Sequence, residues 1–347
     1  MKTIHIAAVG DVLMWRRQIA SAKQEGGRSY AFDPMFREVA PYLRGADLTI
    51  GNLETTFSGR EPAYQKRNQK TGWPMFNCPD ELAGALRRAG FNVLTTANNH
   101  CMDRGIRGLK RTLGVLDRHG LRHTGTYRSR SESAKLLVAN VKGVRVGVLA
   151  YTYGTNNIPV PRDSAWAVNR IWPTKIENDI ARMKKHADLV IVVLHFGQEF
   201  HRFPNDKQKS LVKRLFYHGA DVVLGVHPHV LQPMSLRSVR ERSGRVAKKF
   251  VIYSLGNFIS DRMLGNIHSD SGVIVNLTVT KDDKGVTSVQ AVRTIPTWVH
   301  KFQRGGGTRF RVLPVGRFLK KPDQRLTRED IKTMRRVGAA TSRHLRS

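Results

Sequence analysis

The chain has 347 residues, 40% hydrophobic and 25% charged, a composition that carries a full core and excludes an intrinsically disordered chain. No apolar stretch approaches the ~18 residues that span a bilayer as a helix, so a helical membrane protein is excluded as well. Lys and Arg outnumber Asp and Glu by 32, and residues 301–347 hold 14 of the basic residues against three acids; such a field gathers anions of many kinds without naming one.

Met1 to Val9 is too short and polar for a signal peptide and reads as a first strand over residues 4–9, ending at Gly10-Asp11. The spacing of Phe32, Met35, Phe36, Val39 and Leu43 predicts a helix over residues 32–43. A second strand from Asp47 ends in Asn52-Leu53-Glu54, and the polar, turn-rich residues 55–77 read as a long loop near the site. Pro79-Asp80 opens a helix that Gly90 caps; residues 92–97 form the next strand and deliver Asn98-Asn99-His100; a helix from about Gly108 ends at Gly120. Residues 135–151 hold two strands around Lys142-Gly143, and Ile171 to Lys185 is an amphipathic helix. The continuous apolar run from Ala187 to Leu194 is a strand covered on both faces, and it stops at His195. A helix over residues 207–218 precedes the strand Asp221 to Val226, which ends at His227-Pro228-His229. Arg237, Arg240, Arg242, Arg245, Lys248 and Lys249 form a basic cluster. Strands dominate from Phe250 to about residue 300, and a basic helix runs roughly from Arg328 to Arg343. The alternation is that of a layered α/β fold with a mostly internal sheet, one domain over residues 1–317 and a basic helical extension over 318–347. The two cysteines, Cys78 and Cys101, make neither a disulfide framework nor a metal-ligand pair; a reduced, cytoplasmic setting, at most peripheral to a membrane, is expected.

Asp11, Glu54, Asn98, Asn99, His100, His195, His227 and His229 all sit where an apolar strand gives way to a loop, the place where α/β sheets gather binding and catalytic groups. Imidazole and carboxylate together suit Zn, Mn or Fe, and Asn99 can add an amide oxygen. A site with one or two divalent ions can activate water and neutralise charge on a phosphoryl or carboxyl oxygen. His100, beside a ligand, is free to act as general acid or base. Taken singly, each has an ordinary structural role: a helix cap, a turn or a hydrogen-bonded core histidine. Their recurrence at successive strand ends argues for one shared site.

The order Gly10-Asp11-Val12-Leu13-Met14, Asn52-Leu53-Glu54, Ala97-Asn98-Asn99-His100, His195-Phe196-Gly197-Gln198-Glu199-Phe200, His227-Pro228-His229 and Tyr253-Ser254-Leu255-Gly256-Asn257-Phe258 resembles the CapA family of poly-γ-glutamate capsule synthesis, over about residues 3–300. That family looks like a branch of the calcineurin-like metallophosphoesterase superfamily. The resemblance implies a four-layer αββα sandwich and an enzyme acting on a carboxylate- or phosphate-bearing substrate such as an acidic polymer. It implies that Asp11 and His229 hold one metal and Asn99, His195 and His227 the other. Glu54 then stands at the bridging position and His100 at that of the catalytic histidine. Arg16, Asn98 and Glu199 match positions that could bind or orient substrate. Leu13 stands where the superfamily usually has a histidine, and Glu54 is longer than the usual bridging Asp, so the first metal position loses an imidazole. The same cup without metal could still move protons as an epimerase-like enzyme on a peptide C-terminus, or hold a polyanion without turnover. Nucleic acid has only net charge behind it, with no recognition motif. Members linked to the membrane usually carry an N-terminal anchor, and none is read here.

Overall fold

The computed structural model describes residues 1–346. Its first sheet is built from β1 (Lys2–Val12), β2 (Leu48–Leu53) and, beyond the short antiparallel pair β3 (Lys66–Arg67) and β4 (Pro74–Met75), β5 (Val93–Thr95) and β6 (Arg122–Thr124). The second takes β7 (Leu137–Val141), β8 (Val144–Thr152), β9 (Leu189–His195), β10 (Val222–Val226), β11 (Leu231–Arg240) and β12 (Val246–Leu255). The chain then returns to the first sheet with β13 (Asn257–Ile259), β14 (Ser271–Lys281), β15 (Thr287–Arg304) and β16 (Gly307–Pro314). Strand order is β16-β15-β14-β1-β2-β5-β6 in one sheet, with β13 also on β1, and β11-β12-β10-β9-β8-β7 in the other.

The alternation of side chains explains the stacking. In β1, Ile4, Ile6 and Ala8 point into a core shared with Leu189, Ile191 and Val193 of β9. Ala7 and Val9 point the other way, onto α1 (Arg16–Ala22), α2 (Asp33–Phe36), α3 (Ala40–Arg44), α4 (Glu81–Ala89) and α5 (Gly105–Arg118). The opposite residues of β9, Val190, Val192 and Leu194, pack under α7 (Pro173–Met183) and α8 (Asp206–Tyr217), after the one-turn helix α6 (Arg130–Ser133). Two-sided burial therefore makes the run from Leu189 to His195 apolar throughout. The result is four layers, helix, sheet, sheet, helix, as the sequence led us to expect. A smaller core beneath α9 (Val315–Lys320) and α10 (Arg328–His344) joins Trp298, Leu313, Val315, Phe318 and Met334, while Leu345 reaches the core between the sheets.

Two sequence expectations change. The helix expected over residues 32–43 is two short ones, because Pro41 supplies no N–H to continue the first and instead sits in the opening turn of α3. The basic cluster around residues 237–249 is not wholly a surface. Lys249 is fully buried, with its Nζ donating to Asp221 Oδ1 (2.7 Å) and Glu241 Oε1 (2.6 Å). Elsewhere the expected elements form with shifted ends. The hairpin at Lys142-Gly143 does close β7 onto β8, with both residues in the left-handed region its two-residue turn requires.

Candidate metal centre

The site lies where the carboxyl ends of both sheets meet. Asp11 ends β1, Asn52 and Glu54 end β2, and Asn99 and His100 follow β5. Across the gap, His195 ends β9 while His227 and His229 follow β10. One close backbone approach brings the sheets to this point: a Cβ at Gly10 of β1 would lie 1.8 Å from Gly256 O, just past β12. Within the second sheet, β10 and β12 are as close, and a Cβ at Gly225 would lie 1.9 Å from Tyr253 O. Asp11 then ties the sheets together. Its Oδ1 accepts from Asn52 Nδ2 (2.8 Å) and its Oδ2 from the His227 backbone N–H (3.2 Å). His227 and His229 hold φ of 101° and 59° around Pro228, left-handed conformations uncommon for histidine that the surrounding structure has to hold in place.

The side chains converge. The His229 Nδ1–H donates to Asn257 Oδ1 (2.9 Å), with Asp11 Oδ2 at 3.3 Å, which leaves Nε2 facing Glu54 Oε1 at 3.8 Å. His195 Nε2 donates to Asn99 Oδ1 (2.8 Å) and lies 3.4 Å from the same Glu54 oxygen. The His195 and His227 rings are 4.7 Å apart, and Tyr153 stacks on the first at 6.2 Å. Ligand atoms of Glu54, His227 and His229 all fall within 4.8 Å of one another.

This arrangement is unsatisfied in a specific way. Both carboxylate oxygens of Glu54 and the Nδ1 of His227 are buried without a hydrogen-bond partner. Burial, then the charges of Asp11, Glu199 and Asp103, pushes the Glu54 carboxyl well above its ordinary range. Burial, then neighbouring imidazoles, holds His195 and His227 well below theirs, so both rings are neutral, and His227 keeps a ring nitrogen, Nδ1, without a partner. At His229 burial opposes protonation, but the Asp11 carboxylate on its ring outweighs it and raises the pKa. Neutral imidazoles around an orphaned buried carboxylate are the donor set a divalent cation completes.

His100 stands one step away. Its Nδ1–H donates to Asp103 Oδ2 (2.7 Å), which also accepts from the Phe76 backbone N–H (2.6 Å), and the Phe76 ring meets the imidazole edge-on at 4.6 Å. Asn98 braces this turn, donating to Leu53 O (2.7 Å) and accepting from the His100 N–H (3.1 Å). A cleft of ≈ 600 Å³ opens over the centre, with His100, Glu199, Trp73, Tyr153, Arg67 and Arg262 in its walls. The polar loop expected near the site contributes Arg67, Trp73 and Phe76. Arg16 is not brought to the cleft wall: it sits exposed at the start of α1, its backbone N–H donating to Gln65 Oε1 (2.9 Å), and Arg67 and Arg262 line the cleft instead. Leu13, at the position lacking the histidine, is fully buried. Sequence reasoning overlooked Asp103, Tyr153 and Asn156 as members of the site, and it quoted Asn52 and Asn257 only inside motif strings, with no role of their own. Of these, Asp103 had a usable signal, a carboxylate three residues after His100 in a tight turn.

The model of a family described as "Bacterial capsule synthesis protein PGA_cap" matches residues 5–262. The PGA biosynthesis protein CapA of Bacillus subtilis (strain 168) is 31% identical over 298 residues, which cover 84% of this chain and 73% of that protein. The capsule biosynthesis protein CapA of Bacillus anthracis is 30% identical over 259 residues, covering 73% of this chain but only 59% of the relative. Among solved structures, a candidate 5′-nucleotidase from Staphylococcus aureus, crystallised with α-ketoglutarate, superposes with a TM-score of 0.51 at 16% identity. The match covers 97% of this chain and 58% of that one, and it shows a shared fold alone.

Proposed function

Because this chain belongs to the PGA_cap family of bacterial capsule synthesis proteins, we propose that it acts in capsule or poly-γ-glutamate metabolism as a metal-assisted hydrolase or transferase on a carboxylate- or phosphate-bearing substrate. The observation that carries this reading is the buried Glu54 carboxylate, without a hydrogen-bond donor, set among His195, His227 and His229.

Glu54, His227 and His229 would hold a divalent ion, with Asp11 beside His229 and with Asn99 and His195 opposite able to hold a second across Glu54. The bound metal would supply Lewis acidity to an oxygen of water or substrate. The remaining work falls to this chain's own groups. Asp103 holds the Nδ1–H of His100, so that Nε2 is the nitrogen left to exchange a proton with substrate; when the ring carries both protons, the Nε2–H is handed to the departing oxygen or nitrogen and the ring is left neutral. Asp103 itself only positions. Arg67 offers a guanidinium to the substrate's anionic groups, and Trp73, Phe76 and Tyr153 narrow the wet volume around the reacting atoms.

Elemental mass spectrometry of protein purified without chelator, wild type beside a His227→Ala/His229→Ala double variant, tests the reading. About one or two equivalents of Mn, Fe or Zn are expected in the wild type and none in the variant. Wild-type protein that stays metal-free after reloading overturns it and leaves metal-independent acid–base chemistry by Asp11, Glu54 and the histidines as the alternative.

A further inference from the structure

A second cavity, of ≈ 480 Å³, opens between α10 and the start of β14, with Arg202, His268, Lys301 and Trp298 in its walls. It adjoins the metal cleft through two stretches of chain. Glu199 lines the cleft, and Arg202, three residues on, lines the cavity; Met263 and Leu264 line the cleft, and Ile267 and His268 line the cavity. Arg262 belongs to the walls of both.

The charges of the cavity wall are matched with one exception. Arg262 Nε donates to Asp270 (2.7 Å), Lys301 pairs with Asp261 (2.7 Å) and Asp270 (3.3 Å), and Arg336 pairs with Glu329 (3.2 Å). Asp330 accepts from the Thr327 N–H (2.8 Å) at the start of α10. Arg202 alone among the described lysines and arginines of this wall has no carboxylate within ion-pair distance, and its Nε is buried with no acceptor. Buried polar groups are almost always satisfied, and a guanidinium fork is matched by a planar carboxylate. Leu231, Trp298, Val299 and Val337 give the same wall an apolar floor suited to methylene groups.

We propose that this cavity is a subsite for a second carboxylate, carried on a short aliphatic arm, of an extended acidic chain whose reacting end occupies the metal cleft. The proposal rests on the functional reading above for the identity of the chain, but not for the presence of the subsite. Arg202 receives the carboxylate, the apolar floor takes the arm, and the backbone of the ligand crosses between the two loops at Arg262.

Titration calorimetry of the full chain with glutarate, a single aliphatic dicarboxylate, and with γ-linked glutamate oligomers of increasing length separates the two claims. Glutarate is expected to bind the wild type and the His227→Ala variant alike, and to bind Arg202→Gln about tenfold more weakly or worse. Oligomer affinity should rise with length in the wild type and lose that rise in Arg202→Gln. A second variant, Thr333→Glu, keeps Arg202 and introduces a carboxylate from α10 into the same cavity; it should block glutarate equally. Glutarate that does not bind, or that binds Arg202→Gln as it binds the wild type, overturns the subsite whatever the turnover. Arg202-dependent glutarate binding without any oligomer turnover supports the subsite and counts against the hydrolytic reading alone.

Discussion

At the scale of residues, the site is a problem in satisfying buried groups. Glu54 has no donor, His227 Nδ1 has no partner, and Asp11 spends both oxygens on Asn52 and the His227 backbone. His100 is the contrast, because Asp103 already fixes its ring. We therefore expect Asp103→Asn to lower kcat by about 10²-fold or more with little change in KM, since it misaligns the proton donor without touching the anion sites. Steady-state kinetics with the pH profile, beside His100→Asn, checks this; a pH profile like the wild type's with unchanged kcat would remove His100 from the chemistry. The ordered strand ends made most of these residues legible in the sequence: Asp11, Glu54, Asn99, His195, His227 and His229 do converge. Tyr153 was illegible because nothing near it in the chain shows that a separate strand end faces it; Asn257 stands in the motif from Tyr253 to Phe258, but that motif does not reveal His229 as its partner. Arg16 stands exposed at the start of α1, outside the lining of the cleft, and motif order alone does not say which residues of a loop reach that lining.

At the scale of elements, period-2 burial made the strands readable, and proline made a helix unreadable. Phe32, Met35, Phe36, Val39 and Leu43 have one helix's spacing, but Pro41 divides it. The docking of α10 shows an effect that pattern alone conceals. His300 on β15 is fully buried, its Nδ1 accepts from Arg311 Nε (2.9 Å), and its Nε2 lies 3.4 Å from Asp330 on α10. Burial and then the Arg311 charge push its pKa down to about 4. The imidazole is thus neutral in the fold but takes a proton near pH 6.5 in the unfolded chain. Its contribution to stability is full above about pH 6.5 and drains away as pH falls toward 4. Thermal melts between pH 8 and 4.5 should show that decline in the wild type and a shallower one in His300→Asn. Parallel curves would mean that carboxylates alone set the acid limb.

At the scale of the whole molecule, the excess of basic over acidic side chains supplies a field that no single contact reports. Among the described residues, no helix is long and apolar enough to cross a membrane. Association with an acidic polymer should be steered, and should slow as salt shrinks the Debye length from about 10 Å at 0.1 M to about 3 Å at 1 M. Stopped-flow binding is expected to show the loss in the association rate far more than in dissociation; an association rate indifferent to salt would assign the charge to solubility alone.

The return of the chain at Gly256, from the second sheet back to the first, also bears on how the molecule is made. β1 has β2 on one side and, on the other, β13 and β14, which follow more than 240 residues later. During synthesis at roughly 5–20 residues per second, β1 waits on the order of tens of seconds for these later neighbours. Throughout that interval Asp11 has no Asn257-bearing strand beside it. The side chains of the candidate centre cannot gather before residues as far as Asn257 have been made, so a product ended earlier cannot build that site.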